Sequence, residues 1–137
     1  KHPNDANNWY NLGVVQSKDP ATVNDAIASY KKAVELKPDF TIAYQNLAYL
    51  TMGDDGKAID DYNAAKKAGK ADQANKIIEA RRARLAAALP YAEKWYQNDQ
   101  NNVEAVSLLK GLYLSAKNEA KFQEFKSKEA AMKGSGK

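Results

Sequence analysis

A chain of 137 residues is the size of one domain with its own core, since folding at this length buries about two-thirds of the extended chain's surface. It contains no cysteine, which excludes disulfides, thiolate metal sites and cysteine nucleophiles and leaves the redox compartment open. The net charge of +4, from 21 basic and 17 acidic side chains, is too even over the whole chain to imply a nucleic-acid partner, and no apolar run nears the ~18 residues that would span a bilayer.

Taken in chain order, the sequence opens on Lys1-His2-Pro3 without an initiating methionine, so an upstream part of the natural protein is expected to be absent and the compartment stays unknown. From Trp9 an internal repeat sets in. Trp9-Tyr10-Asn11-Leu12-Gly13 recurs as Tyr44-Gln45-Asn46-Leu47-Ala48, and Ala26, Tyr30 and Ala33 recur as Ala58, Tyr62 and Ala65. Pro3 and Pro38 each stand six residues before the opening aromatic, which predicts that Pro3 closes an earlier repeat. An aromatic followed at +3 and +4, and an alanine followed at +4 and +7, each put their residues on one helical face. Each repeat is therefore expected to be two amphipathic helices packed on one another. The small residues Gly13, Ala26, Ala33, Ala48, Ala58 and Ala65 let backbones approach while the aromatics fill the space beside them.

On these residues the chain resembles the tetratricopeptide repeat family, whose unit of about 34 residues carries Trp-x-x-Leu-Gly, then alanine, aromatic, alanine, then proline. Trp9, Leu12, Gly13, Ala26, Tyr30, Ala33 and Pro38 match the first unit. Tyr44, Leu47, Ala48, Gly53, Ala58, Tyr62 and Ala65 match the second, where Lys70 replaces the closing proline. The resemblance implies an all-α fold, a right-handed superhelical stack of antiparallel helix pairs (an α-solenoid) in one domain spanning 1–137. Repeat one is placed at 5–37 and repeat two at 40–69, and the expected buried set is Trp9, Leu12, Tyr30, Tyr44, Leu47 and Tyr62.

After Gly69 the pattern loosens into 70–100, an irregular long helix and third repeat. Ala71 to Leu89 carries an apolar stripe of Ala74, Ile77, Ile78, Leu85 and Leu89, and Ala88, Ala92 and Trp95 then repeat the +4, +7 spacing. Pro90 can open a new helix or kink a continuous one. The absence of any turn signal in Ala86-Ala87-Ala88 favours the continuous, kinked helix over 71–98. Asp99-Gln100-Asn101-Asn102 reads as a loop, 103–132 as a degenerate C-terminal capping repeat and 133–137 as a flexible tail.

Catalytic chemistry finds little footing. His2 is the sole histidine, so no histidine-centred triad or paired-histidine metal site can form, and no phosphate-cradling glycine loop is present. Asp54, Asp55 and Gly56 read as the inter-helix turn and Asp60-Asp61 as the first turn of the helix that follows, where negative charge is favoured. The expectation is no enzyme, no cofactor and no metal.

Binding is where the resemblance points: it implies a non-catalytic adaptor that holds a peptide or helix of a protein partner in a concave groove. Carried over residue by residue, the family's groove positions fall on Tyr10, Val14 and Ser17 in the first repeat and on Gln45, Tyr49 and Met52 in the second. The chaperone-tail clamp of the family is not expected, because Tyr10 and Val14 stand where it needs lysine and asparagine. The alternative site is the helix 70–84, where Lys70, Lys76, Arg81 and Arg84 could meet an acidic protein segment. A nucleic acid is the lesser fit, because no aromatic interleaves the cations.

Overall fold

The computed structural model describes residues 4–135, and among them every regular element is helical. His2 and Pro3, with the roles given them above, lie outside the described residues. The helices are α1 (Ala6–Gln16), α2 (Val23–Leu36), α3 (Thr41–Met52), α4 (Asp55–Lys67), α5 (Ala71–Asn98), α6 (Val103–Ser115) and α7 (Glu119–Ser135), with a single 3-10 turn at Pro20–Thr22 before α2.

Their ends follow local chemistry. The Asp5, Asp54 and Asn102 side chains each accept a backbone N–H of the following first turn; such a cap stabilises a helix by about 1 kcal/mol. Gly53 and Gly69, both at positive φ, end α3 and α4. Asp54 caps α4 from outside, while Asp55 and Gly56 already belong to the helix, which begins earlier than the sequence suggests. At the other end of the chain, Lys133, Gly134 and Ser135 continue α7 instead of forming a loose tail. A Lys133–Glu129 ion pair at 3.5 Å holds that last turn.

Packing starts with the first pair. Gly13 lies under the Tyr30 ring so closely that an added Cβ would come within 2.8 Å of it. α1 and α2 therefore meet as the repeat register predicts, and Ser29, buried between them, donates to Gln16 Oε1 at 2.6 Å. α3 lays Phe40, Ala43 and Leu47 against Ala26, Tyr30 and Ala33 of α2.

The second unit pairs differently. α4 packs on α5 and not, to any comparable extent, on α3. Asp55 at the start of α4 meets Arg81, and Lys70 N–H bonds Ala65 O across the turn, so α4 runs antiparallel to the N-terminal half of α5. Arg84 donates to Met52 O at the end of α3, and Asn98 donates to Pro38 O just before its start, so the C-terminal half of α5 runs antiparallel to α3. Residues 71–98 are thus one helix, about 42 Å long at 1.5 Å per residue, whose two halves serve two partners. Pro90 removes a donor to the Ala86 carbonyl, but both residues are exposed, so water can replace it.

The main core lies around the C-terminal half of α5. Leu85 and Ala92 join Ala48 of α3, Val106, Leu109, Leu112 and Tyr113 of α6, and Phe125 of α7, while Trp95, fully buried, sits against Tyr44 and Ala105. Ser107 and Lys110 of α6 both donate to the Glu129 carboxylate of α7, which ties the last two helices together.

Three expected burials fail. Leu12 is 43% exposed whereas its repeat counterpart Leu47 is 0% exposed, because α2 covers α3 and no described helix covers that side of α1. Trp9 and Tyr62 are half-buried. Tyr62 lacks a second layer because, among the described helices, α4 has α5 as its one substantial neighbour.

Candidate partner-binding groove

Four of the six residues singled out for the groove come together. Tyr10, Val14 and Ser17 from α1 and Tyr49 from α3 line one cleft of about 400 Å³, joined by Tyr30, Asn46 and Leu50. Their spacing explains the convergence: 10, 14 and 17 fall on one face of α1, and 46, 49 and 50 on the facing side of α3.

Gln45 and Met52 are not part of its lining. Gln45 is half-buried elsewhere on α3, and Met52 packs against the main core because the turn at Gly53 brings α5 against it. Tyr10 is also less free than expected. Its ring stands 5.6 Å from Tyr30 and 5.0 Å from Phe40, centroid to centroid, so it contributes to the core as well as to the cleft wall. Tyr49 is 39% exposed and rests edge-on against Trp95 at 5.8 Å.

The floor is a neutral polar network. Asn46 Nδ2 donates to the hydroxyls of Tyr10 at 3.3 Å and Tyr30 at 3.4 Å, and Ser17 Oγ donates to Val14 O at 2.8 Å. Burial pushes the Tyr30 hydroxyl pKa above its ordinary 10, against the smaller opposing pull of hydrogen bonds from Ser17 and Asn46. Burial also raises Tyr49, with the Glu104 carboxylate adding to the effect. The Tyr30 and Tyr49 hydroxyls therefore stay protonated near neutrality and can donate to a carbonyl. The sequence reading left out Asn46, Leu50 and the Tyr30 hydroxyl as cleft residues. Asn46 and Leu50 are four apart, and that spacing was the signal available.

The two arginines of the basic helix both bond inside the chain. Arg81 forms a bidentate pair with Asp55, Nε to Oδ1 at 2.5 Å and Nη2 to Oδ2 at 3.1 Å. Arg84 Nε donates to Met52 O at 3.0 Å beside the Gly53 turn. Both arginines bond at the corner where α3, α4 and α5 meet, Arg81 to a carboxylate and Arg84 to one of the carbonyls that a helix C-terminus leaves unpaired. Lys70 and Lys76 are exposed, and Arg81 and Arg84 are partly buried.

A second cleft of about 510 Å³ lies between α2, α3 and the C-terminal half of α5, with Val34, Pro38, Tyr44, Pro90 and Tyr91 in its walls. None of the residues singled out for the groove or the basic patch lines it. Among the described residues no three His, Cys, Asp or Glu side chains converge to hold a metal ion, and no helix is long and apolar enough to cross a membrane. No known protein family's sequence profile matches the chain, and no curated protein matches it.

Proposed function

We propose that this chain is a non-catalytic protein-interaction module of the tetratricopeptide type, which holds an extended segment of a partner protein in the cleft between α1 and α3. In this reading three helix pairs, α1 with α2, α3 with the C-terminal half of α5, and α6 with α7, stack as a right-handed α-solenoid. α4 and the N-terminal half of α5 form an arm set into the second pair.

The observation that carries the reading is the cleft itself. Residues carried over from the family's groove positions belong to two helices whose facing sides form one cleft, and Tyr10, Val14, Ser17 and Tyr49 line it. Aromatic rings, one aliphatic patch and a hydroxyl–amide floor suit a neutral segment with apolar anchors whose backbone carbonyls accept hydrogen bonds. The lack of any cation in the lining argues against an acidic tail as the ligand.

The test uses the double variant Tyr10→Phe/Tyr49→Ala, which keeps the Tyr10 ring in the core but removes its hydroxyl and the exposed aromatic. Proteins captured on the immobilised wild-type chain should bind this variant at least about tenfold more weakly, as expected when an interface aromatic is lost. Undiminished binding by a variant with an unchanged circular dichroism spectrum would remove the cleft from consideration.

A further inference from the structure

The arm has a face with no partner inside the chain. Among the described helices α4 makes a substantial interface with α5 alone, and the buried residues between them are the alanines Ala58, Ala65 and Ala74. On the outer flank of α4, residues 55, 59, 62 and 66 follow one another at +4, +3 and +4, the spacing of a coiled-coil seam. Their identities are Asp55, Ile59, Tyr62 and Lys66. Ile59 is 40% exposed and Tyr62 half-buried, so the seam has an apolar middle, an acid at one end and a cation at the other.

We propose that α4 is a homodimerisation helix, packing antiparallel on α4 of a second copy of this chain about a twofold axis. The seam is self-complementary under that operation. Laid antiparallel, Ile59 faces Tyr62 of the partner and Asp55 faces the partner's Lys66; the reciprocal pairs follow by symmetry, as an isologous interface requires. Lys66 is exposed and makes no ion pair among the described residues, so its charge is available. Asp55 already holds Arg81, and a second cation beside it extends that pair into a network. Two arms joined this way make a four-helix bundle, which gives each two-helix arm the second layer it lacks.

A contact of one 13-residue helix with its copy is small, so the dimer belongs with weak, reversible associations below about 1,200 Å². Sedimentation equilibrium of the full chain from about 5 to 500 μM in low salt should therefore show the average mass rising from 15.1 kDa toward twice that value. Ile59→Asp should leave a monomer at every concentration. Lys66→Glu, which sets like charges face to face, should raise the dissociation constant at least tenfold. Both sites are exposed enough for the variants to fold, which a thermal melt checks. A wild-type chain that stays monomeric throughout overturns the proposal. So does a dimer that both variants leave intact, since that dimer would use another face.

Discussion

The two halves of α5 are one continuous helix in different surroundings. The C-terminal half, with Leu85, Ala88, Ala92 and Trp95 buried, is gripped by α3 on one side and α6 on another. The N-terminal half has Ala74 as its buried residue and α4 as its one substantial neighbour. The helical segments are similar in propensity, rich in alanine and long straight side chains. What differs is the number of layers, and with it the apolar surface removed from water. A helix packed between two others is stabilised by that packing, whereas a two-helix arm depends on alanine contacts and a few polar ties at its base.

The largest test of that contrast is Trp95→Ala. Removing a fully buried aromatic typically costs 3 to 5 kcal/mol, so thermal unfolding should show a loss of that order. Ile59→Ala on the arm should stay within about 0.5 kcal/mol. Equal losses would mean that the arm and body are packed alike.

Next comes the pair at one repeat position. Leu47→Ala should destabilise by about 2 to 5 kcal/mol and Leu12→Ala by no more than about 0.5 kcal/mol, since the first is sealed under α2 and the second is open. Denaturant melts of the two variants measure the difference directly. A large cost for Leu12→Ala would show that the outer side of α1 is covered in solution.

Smaller effects should mark the base of the arm. Arg81→Ala removes a partly exposed bidentate pair and should cost about 1 kcal/mol or less in global stability. Its sharper readout is local, because Arg81 joins α4 to the N-terminal half of α5, where the buried residues between the two helices are alanines. Amide exchange over 55–80 should accelerate in the variant while amides of α6 keep their protection. Uniform acceleration would show that the arm and body unfold as one unit.

The smallest expected effect is a pH dependence at the other end of the molecule. Hydrogen bonds from Lys110 and Ser107 hold the Glu129 carboxyl down to about 2, against an ordinary value of 4.5. A carboxylate depressed in the folded state contributes stability that is fully present above the unfolded value and lost as pH falls through the folded one. The contribution should therefore be intact above about pH 4.5 and fade between there and pH 2. Glu129→Gln should be less stable than the parent at pH 6 and match it near pH 2. A constant difference across that window would remove the ion pair as its cause.

Much of this was legible in the chain itself. Periodicity and capping residues mark the helices, Gly13 marks the close approach of α1 to α2, and the spacing of 10, 14 and 17 brings those residues to one wall. The groove was only partly legible, because Gln45 and Met52 depend on how α5 crosses α3, a contact between residues some 40 positions apart. The partners of the arginines were not legible for a related reason: their sequence neighbours are cations, but their spatial neighbours are Asp55 and the Met52 carbonyl.

The sequence by itself determined that this protein is helical, which residues share a helical face, and where the small residues permit close packing, since all of these follow from local geometry and side-chain volume. Which helix each face meets was decided by the tertiary structure alone. Ala58, Tyr62 and Ala65 define a face on α4 whether α3 or α5 lies against it. Leu12 and Leu47 are the same residue at the same repeat position, yet one is open and the other sealed. Periodicity specifies the direction in which a side chain points, but burial is a property of the neighbour that arrives there, and that neighbour is selected by the competition of all the faces at once.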